Sequence, residues 1–322
     1  MTTQITKRSF LAGTAAVGLG LAAGLKGGSA RAAGDKVLRI GFQKYGTLTL
    51  LKGKGGLDEK LKPLGFTVTW TEFPAGPQLL EALNVGAVDF GTTGEAPPIF
   101  AQAAGAPLLY VGHEPPAPAG EAIIVQKDSP LKTVAELKGK RVALNKGSNV
   151  HYLLVKALEA NGVAYKDIET VFLPPADARA AFEKGAVDAW AIWDPFLAAA
   201  EAATGAKTLA NGTGLVSNHQ FYLSEQKFAA ANPAVIDALL ASLYDIGEWA
   251  KASPADAAKD LAPIVGIPQP ILAVAIGRQG YGVKALAPEV VAEQQKIADT
   301  FFGLGLIPKQ LVIADVVRKS NT

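Results

Sequence analysis

Residues 81–98 read EALNVGAVDFGTTGEAPP, and residues 180–196 read AAFEKGAVDAWAIWDPF. Gly86, Ala87, Val88 and Asp89 recur as Gly185, Ala186, Val187 and Asp188. Each copy reads as a helix, a glycine stop, a short strand, and then a loop rich in Gly, Thr, Trp, Asp or Pro. The helical half is periodic, with Leu79, Leu80 and Leu83 in one copy and Ala178, Ala181 and Phe182 in the other. A glycine suits the left-handed position that ends a helix. In open parallel sheets, ligands sit beyond the carboxyl ends of the strands. Two such units predict two similar α/β lobes, each offering a loop to one cleft. Chance likeness between two common helix–strand units is the alternative.

The N-terminus carries an address. Lys7 and Arg8 form a basic start, Phe10 to about Leu25 is apolar and rich in Gly and Ala, and small residues follow at Ala30 and Ala32. This is the pattern of an export signal, residues 1–32, too short for a membrane span. TKRSFLAG resembles a twin-arginine signal with Lys7 in place of the first arginine, which leaves the general secretory route open. Removing Lys7, Arg8, Lys26 and Arg31 takes the net charge from +2 to −2. No basic stripe points to nucleic acid, and no polybasic patch to anionic lipid. The chain has no cysteine, which excludes disulfides, thiolate metal sites and a cysteine nucleophile. About 290 residues remain, enough for two domains with a core each.

Along that remainder, VLRIGFQ from Val37, GFTVTWTEF from Gly65, VDF, and APLLYVGHE from Ala106 read as strands. PPAPAGE, from Pro115, is the strongest break, and a crossover is expected there. AIIVQKDSP opens a new lobe. A second crossing is expected at about Ser217 to Ser224, and the rest of the chain reads as helical. The domain expectation is lobe 1 over 36–117 and 222–322, lobe 2 over 118–221, and βαβ alternation in both.

The loops after the strands are the candidate site. Pro97 and Pro98 suit a helix start, with Thr92, Thr93 and Gly94 just before it. In LNKGSNVHYLL, Gly147 permits close backbone approach, Ser148 is a good N-cap, and a helix begins near Asn149. Two helix starts facing one cleft suit a small anion; simple capping is the competing reading. Strand alternation separates Trp190 from Trp193, and Trp193, beside Asp194, is the one placed to wall a ligand. Gln43 ends the first strand as a neutral donor. Arg278 could add a full positive charge, or lie on a helix surface.

No catalytic pattern competes. His113, His151 and His219 have no metal-ligand spacing, and no GxSxG, P-loop or post-strand GxGxxG occurs. The sequence predicts no enzyme, no metal and no cofactor.

TWTEFPAGPQLLEALNVGAVDFGTTGEAPPIFAQAAG, GSNVHYLLVKALE, FLPPADARAAFEKGAVDAWAIWDPF and IGRQGYGV resemble the aliphatic sulfonate-binding proteins of ABC importers. The resemblance covers nearly all of the chain after the export signal. It implies a type II periplasmic-binding-protein fold, with two lobes of parallel-rich sheets joined by two hinge crossings. It implies an alkanesulfonate ligand, a membrane permease with a separate ATPase, a monomer, and a periplasmic location. It implies ligand contacts at Gln43, Thr93, Gly94, Glu95, Ser148, Asn149, Trp193, Asp194 and Arg278. The Glu95 carboxylate would repel an anion, so its backbone N–H is expected to face the ligand while its side chain turns away or meets Arg278 or Lys44. Taurine, nitrate and sulfate esters remain open as ligands on the same fold. A pyrimidine-precursor enzyme of this fold would need the cysteines that the chain lacks.

Overall fold

The computed structural model describes residues 36–319. The expected export signal, residues 1–32, lies outside them.

Ten strands form two five-stranded sheets. The first contains β1 (Lys36–Phe42), β2 (Phe66–Glu72), β3 (Phe90–Gly94), β4 (Leu108–His113) and β10 (Gln220–Glu225), in the order β2-β1-β3-β10-β4. The second contains β5 (Glu121–Val125), β6 (Arg141–Leu144), β7 (Glu169–Phe172), β8 (Ala189–Trp193) and β9 (Lys207–Asn211), in the order β7-β6-β8-β5-β9. The two orders match position for position. In each sheet the fourth strand, β10 or β5, runs antiparallel to its neighbours, so both sheets are mixed. Those two strands are the first laid down after each passage between sheets.

The repeated phrase folds the same way twice. Helices Gly76–Asn84 and Pro175–Glu183 end just before Gly86 and Gly185, which take left-handed φ values of 71° and 69°. Each Asp then clamps a neighbouring strand. The Asp89 carboxylate accepts the Arg39 backbone N–H at 2.9 Å, and Asp188 accepts that of Arg141 at 2.7 Å. The Asp backbones return the bond to the Arg carbonyls at 2.8 Å in both lobes.

Two expectations are corrected. FGTTG, read as a loop, is strand β3, because β10 supplies its ladder partners from Gln220↔Gly94 to Ser224↔Phe90. For the same reason the second passage ends earlier than expected. β10 begins at Gln220, so the passages span residues 114–120 and 212–219, and the expected switch at 222 falls inside a strand. The passages are bonded to each other. Ala117 N–H donates to Ser217 O at 3.0 Å, Gly212 N–H to Pro118 O at 2.9 Å, and the Asn218 amide to Ala117 O at 2.8 Å.

The helical C-terminal third belongs to the first sheet. Ile236, Leu239, Leu243, Leu261 and Leu272 pack on Leu38, Ile40 and Leu48 on one face. Val290, Ile297, Phe301 and Ile313 pack on Leu79, Leu80 and Leu83 on the other. The second sheet is covered by helix Asn149–Ala160 on one face and by helices Pro175–Glu183 and Phe196–Thr204 on the other.

Candidate functional site

A narrow cleft opens where the carboxyl ends of β3 and β8 meet. Of the nine expected residues, five line it: Gln43, Gly94, Ser148, Asn149 and Trp193. Tyr45, Gly76, Pro97, Asn218 and Gln220 line it as well and were not expected. Tyr45 follows Gln43 by two residues, and its position after a strand end was the available signal. Asn218 and Gln220 arrive from the second passage, and only tertiary structure brings them in.

Each wall has a local cause. Trp190 is buried in the core against Phe182, at a ring-centroid distance of 5.7 Å. Trp193, on the opposite face of β8, is half-buried and stands edge-on to Phe196 at 6.2 Å. Gly94 leaves room for the Asn149 side chain from the other sheet; a Cβ built there would overlap it. Asn149 donates through Nδ2 to Asn218 Oδ1 at 2.5 Å, tying helix Asn149–Ala160 to the second passage. Gln43 donates one amide hydrogen to Thr92 O at 3.0 Å and keeps its other.

Ser148 does not cap its helix. Its hydroxyl donates back to Asn145 O at 2.6 Å, and no side chain caps that first turn. The positive end of a twelve-residue helix dipole is therefore presented without a competing side-chain oxygen. Burial pushes the Tyr45 hydroxyl well above its ordinary pKa, so it stays a proton donor.

Four expected residues stand behind the lining. Thr93 is fully buried and donates to Gly94 O at 3.1 Å. Glu95 is buried, and its Oε2 accepts the His219 backbone N–H at 3.1 Å. It meets neither Arg278 nor Lys44, since Lys44 pairs with Glu72 at 3.7 Å, and burial raises its pKa. Arg278 lies 3.5 Å from Asp194 and donates to Glu201 at 2.8 Å. Its charge is committed to two carboxylates rather than to the cleft. Burial lifts Asp194 to about 6, against the pull of Arg278. The cleft is therefore lined by neutral donors and a helix end, with no cation among the lining residues.

A second contact joins the lobes beside the cleft. His151, fully buried, stacks on Phe100 at 6.1 Å and touches Phe301 at 5.6 Å, both from the first lobe's helices. Burial pushes its imidazole down to about 4, so it packs as a neutral ring. Among the described residues no cluster of His, Asp or Glu could hold a metal ion.

The NMT1/THI5-like family matches residues 65–257. A taurine-binding periplasmic protein of Escherichia coli (strain K12) is 28% identical over 218 residues, covering 65% of this chain and 67% of that protein. The alkanesulfonate-binding protein SsuA from Xanthomonas axonopodis pv. citri, solved bound to MOPS, matches with a TM-score of 0.85. It is 43% identical, over 90% of this chain and 100% of that one. An aliphatic sulfonates-binding protein of Escherichia coli (strain K12) is 46% identical over 279 residues, covering 86% of this chain and 87% of that protein. These relatives are binding proteins rather than enzymes. Identity at that level across most of both chains is kinship, and this chain belongs to the aliphatic sulfonate-binding proteins.

Proposed function

We propose that this chain captures alkanesulfonates by closing its two lobes and hands them to the permease of an ABC importer driven by a separate ATPase. The carrying observation is the neutral-donor cleft itself. A sulfonate stays ionised at any physiological pH, has three acceptor oxygens and donates no hydrogen bond. Gln43, Asn149, Tyr45 and the start of helix Asn149–Ala160 supply donors and a partial positive charge without a proton to exchange. Trp193 and its neighbour Phe196 supply an apolar wall for the alkyl tail.

The lobes of this reading are the two sheets with their helices, and the hinge is the pair of passages at 114–120 and 212–219. Ligand shifts the population toward the closed form, which a permease distinguishes from the open one. The chain acts as a monomer in the periplasm, after loss of residues 1–32. Of the residues behind the lining, Thr93, Glu95 and Asp194 serve through backbone and packing, and Arg278 by holding Asp194.

The test is isothermal titration of refolded, leader-free protein with ethanesulfonate, pentanesulfonate, taurine, nitrate and sulfate. Tight, saturable heat with the alkanesulfonates and little with nitrate or sulfate is the expected result. Heat with nitrate alone would overturn the reading.

A further inference from the structure

Two helices begin at the cleft and meet again beyond it. Pro97 lines the cleft and opens helix Pro97–Ala103, whose Phe100 stands about one turn further on. Asn149 lines the cleft and opens helix Asn149–Ala160, with His151 in its first turn. The Phe100 and His151 rings stack across the lobes at 6.1 Å, with 17° between their planes. Phe301, also from the first lobe, stands 4.9 Å from Phe100 and 5.6 Å from His151. Ring pairs at such separations add stabilisation beyond the area they bury. None of these three rings lines the cleft.

The His151 ring is oriented from its own lobe. Its Nδ1 accepts the Gly147 backbone N–H at 3.2 Å, so Nε2 carries the proton and donates to the Tyr165 hydroxyl at 2.7 Å. Both bonds lie within the second lobe, and they hold the imidazole neutral and in place whatever the first lobe does. Gly147 takes a left-handed φ of 73°, and a Cβ built there would come within 3.2 Å of the Phe100 ring. The backbone just ahead of Ser148 therefore lies directly against a ring of the first lobe.

We propose that Phe100 and His151, backed by Phe301, form a latch outside the cleft that sets the affinity for every ligand alike by stabilising the closed pairing of the lobes. This rests on the closure reading above and adds to it a determinant that touches no ligand. Contacts inside the cleft distinguish one ligand from another. The latch joins protein to protein, so its contribution is the same whichever ligand is held. Where the binding-competent form is a fraction of the population, apparent affinity scales with that fraction. Loss of the latch then multiplies every dissociation constant by one factor. The change falls mainly on release, because ligand leaves when the lobes part.

The experiment titrates refolded, leader-free protein and its Phe100→Ala variant with ethanesulfonate and pentanesulfonate, and follows release by stopped flow. Phe100 is only half-buried. Both ligands are expected to bind about tenfold more weakly in the variant, with faster release. The ratio of the two affinities and the stoichiometry should stay as in the natural chain. Phe100→Leu keeps apolar bulk without the ring and should weaken both ligands by less. Unchanged affinity for both ligands in Phe100→Ala overturns the proposal. So does a loss confined to pentanesulfonate, which would make Phe100 a contact of the tail. If Phe100→Ala does not fold, Phe100→Leu decides by the same two criteria. Failure of the natural chain to bind either ligand would instead strike the sulfonate reading on which the proposal stands.

Discussion

Gly94 and Trp193 hold the same place in the repeated phrase, five residues after Asp89 and Asp188, and they are the smallest and the largest of side chains. Both end a five-residue strand, both line the cleft, and the next residue in each case is a buried acid. One lobe leaves a gap that the Asn149 side chain fills, and the other builds a wall. A duplicated scaffold thus supplies two equivalent positions, and asymmetry between them shapes the site. The acids diverge as well. Asp194 has Arg278 beside it and rises only to about 6, whereas Glu95 has no cation and rises to about 8.

That last difference has the largest expected effect. A carboxyl whose folded pKa is raised favours the proton-bound native state. Its stability is fully present below the unfolded pKa and is lost as pH rises through the folded value. For Glu95 the window runs from about 4.5 to about 8, and for Asp194 from about 3.8 to about 6. Denaturant titrations across pH should show a loss of up to ~5 kcal/mol tied to Glu95 and abolished in Glu95→Gln. Asp194→Asn should alter a narrower and more acidic window; identical windows would erase the contrast between the two acids.

Gly94→Ala should come next. The added methyl meets Asn149 across the cleft, so sulfonate affinity is expected to fall about a hundredfold, ~3 kcal/mol, with the lobes held apart in small-angle scattering. Asn149→Gly in that background should restore closure.

The two Arg–Asp clamps test how burial weights one motif. Asp89 is 6% exposed and also accepts from the Arg39 guanidinium at 2.9 and 2.5 Å. Asp188 is 36% exposed, and the Arg141 side chain stays 3.8 Å away. Asp89→Ala should cost about 2–3 kcal/mol of stability and Asp188→Ala about 1 kcal/mol, read from denaturation midpoints. Trp193→Ala should weaken pentanesulfonate about tenfold, ~1.4 kcal/mol, and ethanesulfonate less.

The duplicated phrase made the two-sheet plan legible, because Gly86, Gly185, Asp89 and Asp188 act through bonds to their own or adjacent strands. The placement of Gln43, Ser148, Asn149 and Trp193 at strand ends and a helix start was legible for the same reason. What escaped depends on partners far along the chain. Nothing in FGTTG announces β10, 128 positions later at its Phe221↔Thr93 pair, whose ladder turns that loop into a strand. Asn218 and Gln220 reach the cleft by that same route. Arg278 offered a free cation to a sequence reading, and only the fold reveals Asp194 and Glu201 as its partners. The Ser148 hydroxyl chose Asn145 O over its own helix, a local competition that residue type alone does not decide.

The bonds between residues 117–118 and 212–218 bear on how the molecule moves. Two independent tethers would let one lobe roll, shear or twist against the other. In the closure proposed above, the laced passages would act as the spine of a book, stiff along its length and pliant about one line. Closing would then be a motion along a single coordinate, the same path between ajar and shut at each encounter with ligand.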